Sequence, residues 1–86
     1  MASCNVILKS SVHRDLQALP GDVVRRVWQR IRSLAADPSP RGSVKLSGSD
    51  GLYRLRVGDY RIVYGWNPAS REVVVHAVRH RREVYR

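Results

Sequence analysis

The stretch Leu52-Tyr53-Arg54-Leu55-Arg56-Val57-Gly58-Asp59-Tyr60-Arg61-Ile62-Val63-Tyr64 decides the fold. Residues alternate on both sides of Gly58-Asp59, which predicts two antiparallel strands joined by a two-residue turn. In that register Val57 faces Tyr60, Arg56 faces Arg61, Leu55 faces Ile62, Arg54 faces Val63 and Tyr53 faces Tyr64. One face then carries Tyr53, Leu55, Val57, Tyr60, Ile62 and Tyr64, and the other carries Arg54, Arg56 and Arg61. Like charges directly opposite each other on a sheet are unfavourable by up to about 1 kcal/mol. Arg56 across from Arg61 therefore calls for an external anion, and a phosphate is the natural candidate.

Downstream of the hairpin, Trp66-Asn67-Pro68-Ala69-Ser70 reads as a turn. Glu72 to Val78 follows as a nearly continuous apolar run, the pattern of a central strand covered on both faces. Pairing this strand with Arg61–Tyr64 would bring Arg79-His80-Arg81-Arg82 toward Arg56 and Arg61. Upstream, Ser43 to Leu46 reads as a short strand and Ser47-Gly48-Ser49-Asp50-Gly51 as a loop.

The first half of the chain has a different period. Asn5 to Lys9 reads as a strand, then Ser10 or Ser11 as the cap of a helix with Val12, Leu16 and Leu19 on one face. Pro20-Gly21 breaks it. A second helix begins near Asp22, whose charge suits a helix N-terminus. Its apolar stripe is Val23, Val24, Val27, Trp28, Ile31, Leu34 and Ala35, with Arg25, Arg26, Gln29, Arg30 and Arg32 on the polar side. Asp37-Pro38-Ser39-Pro40 prevents continuation. The expected architecture is α+β: an N-terminal strand, a two-helix hairpin, then an antiparallel meander of three to four strands, with the helix pair on one sheet face. Residues 1–86 read as a single domain.

The 86 residues carry 16 basic against 7 acidic side chains, a net charge of +9, and 43% are hydrophobic. That hydrophobic fraction suits a folded chain rather than a disordered basic tail. Lys9 and Lys45 are the two lysines; the other 14 basic residues are arginines. Arginine bonds phosphate through a planar, bidentate fork, so this bias favours specific phosphate contacts over diffuse attraction. An ordinary soluble surface is the alternative. Cys4 is the sole cysteine, which excludes an intrachain disulfide and fits a reducing cytosol; a core thiol is the plainest reading of it. The apolar run Val6-Ile7-Leu8 is too short for a signal peptide or membrane span.

No nucleotide-cradling glycine loop and no paired His/Cys metal spacing are present, so no cofactor or metal is implied. Acidic residues are few and sit at helix starts or turns, which argues against a carboxylate acid/base pair. His13 reads as a surface residue and His76 as a core or edge histidine, whereas His80 lies in the terminal basic cluster. A phosphodiester bound near Arg56 and Arg61 would meet several guanidinium groups and the phenol of Tyr85. Attack by a 2′-hydroxyl on the adjacent phosphate needs in-line geometry, a base, an acid and donors for the charge growing on phosphoryl oxygens. Arginine supplies the donors but cannot act as the base. Tyr85 could act as base, stack on a nucleobase, or simply pack the C-terminus.

Taken together, Lys45-Leu46-Ser47-Gly48, Tyr53-Arg54-Leu55-Arg56, Gly58-Asp59-Tyr60-Arg61-Ile62-Val63-Tyr64 and His80-Arg81-Arg82-Glu83-Val84-Tyr85 resemble the RelE-type toxins of bacterial and archaeal toxin–antitoxin systems, within the RelE/ParE superfamily. The resemblance covers essentially the whole chain. It implies a cytoplasmic, metal-independent, ribosome-dependent endoribonuclease that cuts mRNA in the ribosomal A site, leaving a 2′,3′-cyclic phosphate and a 5′-hydroxyl. Family catalytic positions fall on Arg54, Arg56, Arg61, Arg81 and Tyr85. Arg61 and Arg81 would hold the scissile phosphate, and Tyr85 would orient or deprotonate the nucleotide. Arg54 and Arg56 stand where some members have lysine, so proton transfer at those positions is lost. Lys45, Arg79, His80 and Arg82 would contact nucleic acid, with His80 in reserve as acid or base. The resemblance also implies a RelB-like antitoxin in a hetero-oligomeric complex, and no membrane. Three other readings stay open: a ParE-like inhibitor of DNA gyrase, a non-catalytic RNA- or ribosome-binding module, and a degenerate toxin that retains only antitoxin binding.

Overall fold

The structure, a computed structural model, describes residues 4–46 and 51–80. Its elements run β1 (Asn5–Leu8), α1 (Ser10–Gln17), α2 (Gly21–Ala36), β2 (Ser43–Lys45), β3 (Leu52–Val57), β4 (Tyr60–Asn67) and β5 (Glu72–His80). The strands form one sheet in the order β1-β5-β4-β3-β2. This is the expected α+β class. β1 pairs in parallel with β5, Val6 beside Val73 and Leu8 beside Val75, so the first and last strands of this set are neighbours. The remaining pairs are antiparallel.

Both helices pack on the same sheet face. Val12 and Leu16 of α1 and Val23, Val27, Ile31 and Leu34 of α2 are buried against Leu55, Val57, Ile62, Tyr64, Val73, Val75 and Val78. The α2 spacing of three and four residues builds this stripe. Val24, Trp28 and Ala35, also on the predicted stripe, flank it half-buried.

The start of α1 differs from expectation. Lys9, not a serine, is the N-cap residue, no side chain caps the helix, and Ser10 and Ser11 lie inside its first turn. The reason is the sheet: the Lys9 amide donates to Val75 O at 3.1 Å, while its carbonyl accepts from Val12 N at 2.9 Å. The strand ladder thus runs up to the residue where the helix begins. At α2 the Pro20 carbonyl accepts from Val24 N, and Asp22 sits in the first turn as its charge requires.

Two strands are longer than the sequence pattern indicates. Trp66 and Asn67 belong to β4 rather than to the turn, which starts after Asn67 because its Oδ1 accepts from the amides of Ala69 and Ser70. β5 continues two residues past Val78 to His80. β5 is central, but the helices cover only one of its faces: Val73, Val75 and Val78 are buried, whereas Val74, His76 and Ala77 are half-buried on the other side. Both helices pack on that one face and leave the other open.

Candidate functional site

The hairpin register is the predicted one in every pair from Tyr53–Tyr64 to Val57–Tyr60, with Arg56 opposite Arg61. The face away from the helices therefore carries Arg54, Arg56 and Arg61. A third strand extends the row, because Arg61 is also paired with Arg79 of β5. Arg56, Arg61 and Arg79 lie side by side across β3, β4 and β5, about 5 Å from strand to strand.

Arg79 reaches that row through an irregularity. Tyr64 pairs with Val75 and Val63 with Ala77, so His76 is an extra residue in β5. A β-bulge inserts one residue into one strand and reverses the side-chain parity beyond it. Without the bulge, Arg79 would lie opposite Tyr60 on the helix side. With it, Val78 enters the core and Arg79 joins Arg61.

Local contacts orient the row. Arg56 donates from Nε to the Gly58 carbonyl at 2.9 Å, folding its guanidinium back over the turn. Arg79 is 46% exposed, and its Nη1 lies 3.5 Å from Asp15 Oδ1 of α1. The other Asp15 oxygen accepts from the Val78 amide at 3.1 Å. Arg54, half-buried, is flanked by Val44 and Val63 one row further along. Beyond it, Leu52, Gly65 and Val74 form an apolar row on the same face. The His76 ring lies over Gly65, and a Cβ built there would come within 3.3 Å of His76 Nε2. Burial, and secondarily Lys9, lower the His76 pKa from its ordinary 6.5.

Two other sequence-derived candidates stand apart from the arginine face. His80 is paired with Tyr60 on the helix side, ring edge to ring face at 5.2 Å. Lys45, exposed, is paired with Tyr53 and shares that residue's parity. Arg81, Arg82 and Tyr85 lie outside the described residues. One residue that sequence reasoning missed is Arg26. Taken for a solvated helix position, it reaches the hairpin turn, its Nη2 2.8 Å from where a Cβ on Gly58 would sit. Nothing in the local sequence marks it, because the contact depends on how α2 lies across the sheet.

On the helix side, Tyr64 is fully buried and donates to the Pro38 carbonyl at 2.8 Å. It stacks on Tyr53 with ring centroids 5.7 Å apart. Burial raises its pKa above 10.0, opposed by the Ser43 hydroxyl and Arg30. This phenol is structural, tying β4 to the segment after α2.

Residues 6–85 match the family model of the ParE toxin of type II toxin–antitoxin systems, parDE. The chain belongs to that family. Within the RelE/ParE superfamily it is a RelE-type toxin, as its relatives make plain. A protein of Methanocaldococcus jannaschii carrying the toxin name RelE1 is 28% identical over 85 residues, 95% of this chain and 94% of its own length. The RelE–RelB complex of the archaeon Pyrococcus horikoshii contains a chain 31% identical, with a TM-score of 0.82, covering 94% of this chain and 97% of that one. The RelBE2 toxin–antitoxin complex of Mycobacterium tuberculosis matches at 26% identity and a TM-score of 0.78, over 91% of this chain and 98% of that one. Among the described residues of this RelE-type toxin, no helix is long and apolar enough to cross a membrane.

Proposed function

We propose that this RelE-type toxin is a ribosome-dependent endoribonuclease, a cytoplasmic protein of one domain that cuts mRNA in the ribosomal A site. The observation that carries the reading is the Arg56–Arg61–Arg79 row across three adjacent strands on the face the helices leave open. Three like charges on neighbouring strands repel one another, Asp15 offsets part of that at Arg79, and a phosphodiester relieves the rest through charge-assisted bonds to the guanidinium groups. In the reaction the 2′-oxygen forms a bond to phosphorus and the bond from phosphorus to the 5′-oxygen breaks. The 2′-hydroxyl loses a proton and the departing 5′-oxygen gains one, giving a 2′,3′-cyclic phosphate and a 5′-hydroxyl. Arg61 and Arg81 hold the phosphate and stabilise the charge on its oxygens, and Arg54 and Arg56 add further positive charge. Arg79, Arg82 and Lys45 contribute contacts to the nucleic acid. No arginine can take the proton, so Tyr85 is the first choice for base or for nucleotide alignment. His80, turned toward Tyr60, ranks behind it. The chemistry calls for no metal.

The partner in the cell is a RelB-like antitoxin in a hetero-oligomeric complex, in keeping with the partners named for the solved relatives. Addition of the toxin to a translating extract should produce cuts within codons of ribosome-bound mRNA and few in naked RNA. Intact mRNA alongside inhibited gyrase supercoiling would overturn the reading in favour of gyrase poisoning.

A further inference from the structure

We propose that Arg26 and Arg56, both set against Gly58 at the hairpin turn, form a second phosphate position that takes the RNA backbone phosphate next to the one on the arginine row. This rests on the RNA-cleaving reading above. The two guanidinium groups come from different elements, Arg26 from α2 and Arg56 from β3, and both lie against one glycine. Arg26 Nη2 is 2.8 Å, and its Cζ 3.8 Å, from the place of a Gly58 Cβ. Arg56 Nε is 2.9 Å from the Gly58 carbonyl oxygen.

Gly58 accommodates this arrangement in two ways. Its φ of 60° lies in the left-handed region that favours glycine. Its missing side chain also leaves the space into which the Arg26 guanidinium settles. A Cβ there would force the end of the flexible Arg26 side chain to shift.

The pair is set up for an anion rather than satisfied internally. The Arg56 bond to the turn occupies Nε–H and leaves the Nη donors, held in a fixed orientation. Asp59, the next residue and the nearest carboxylate in sequence, is exposed and forms an ion pair with neither arginine. Two guanidinium groups set against one glycine, neither of them ion-paired to Asp59, repeat the problem posed by Arg56 and Arg61 at the end of the hairpin. Because Arg56 belongs to both groups, a polyanion that crosses the row and rounds the end of the hairpin at Gly58 reaches Arg26. A single strand of RNA, with phosphates at regular intervals, fits that succession.

The test is salt-dependent binding of a short single-stranded RNA carrying 2′-O-methyl groups, which 2′-oxygen attack cannot cleave. Each phosphate contact on a single strand contributes about 0.7 to the slope of log K against log salt, or about fivefold in affinity near ~0.1 M salt. Arg26→Gln should lower the slope by about that amount, and Arg26→Lys should restore it. Arg32→Gln removes the same charge from an exposed position of α2 and should leave the slope unchanged. Equal slopes for the Arg26→Gln, Arg32→Gln and unaltered proteins would overturn the proposal. So would an Arg26→Gln variant that weakens an antitoxin complex but not RNA binding. Cleavage does not enter the readout. A slope that falls with Arg26→Gln in a protein that never cuts mRNA would uphold this site while sinking the nuclease reading.

Discussion

Asp15 holds Arg79 at 3.5 Å through one carboxylate oxygen while its other oxygen accepts the Val78 amide at 3.1 Å. One side chain of α1 thus closes a backbone donor of β5 past the end of β1 and steadies the outermost arginine of the row. The two roles separate chemically. Asp15→Asn keeps an acceptor for Val78 and loses the ion pair, which at a half-exposed site is worth about 0–1 kcal/mol. Asp15→Ala also orphans the amide, at a cost of about 1–3 kcal/mol. Urea denaturation should rank the three proteins with Asp15→Asn close to the original and Asp15→Ala well below. Equal losses in the two variants would mean that the charge, not the hydrogen bond, matters.

The buried phenol of Tyr64 gives a prediction at alkaline pH. Its pKa is raised above 10.0 by burial, so the fold favours the protonated form. That contribution is complete below the unfolded value near ~10 and is lost as pH rises through the folded one. Tyr64→Phe removes the bond to the Pro38 carbonyl and should cost about 1 kcal/mol, or about 4–8 °C in Tm for a domain of this size. It should also flatten the alkaline limb of the stability profile. A limb as steep in the variant as in the parent would assign that loss to other groups.

His76 gives the complementary prediction on the acid side. Its pKa is lowered from 6.5 by burial and by Lys9, so the fold favours the neutral ring. The stability this brings is present above 6.5 and lost as pH falls through the lowered value. Denaturation midpoints should decline as pH drops below 6.5, before the carboxylates near ~4 begin to protonate, and His76→Gln should remove that decline. A decline of the same size in the variant would rule His76 out as its source.

The hairpin was legible because two independent local signals agreed: period-two alternation on both sides, and a two-residue turn with glycine in the left-handed region. The α2 stripe was legible for a similar reason, its spacing being a property of consecutive residues. β1 beside β5 was not, since a short strand carries no mark of a partner more than sixty positions away. Nor was the bulge at His76 visible, because an unbroken apolar run hides the one extra residue that turns Val78 inward. That residue decides the faces of Arg79 and His80, so the basic ending of the chain could be read as charge but not as geometry. Arg26 at Gly58 is hidden in the same way, being set by the tilt of a helix over a sheet.

Arg61, at the centre of the row, offers the sharpest separation of function from stability. It is paired with Arg56 on one side and Arg79 on the other, on the face away from the core. Like charges near the surface repel less as salt rises, the half-buried Arg61 less so than its exposed neighbours, since the screening length falls from about 10 Å at ~0.1 M to about 3 Å at ~1 M. The unaltered protein should therefore gain stability with sodium chloride, and Arg61→Ala should gain less, because its removal leaves Arg56 and Arg79 two strands apart. Loss of a donor to the transition-state phosphate typically lowers turnover by about 10²–10³. On the proposed nuclease function, the variant should cut ribosome-bound mRNA at least about a hundredfold more slowly and fail to arrest growth while staying folded. If Arg61→Ala instead melts early and keeps its activity per folded molecule, the residue is structural, and the row's centre is not where the phosphate sits.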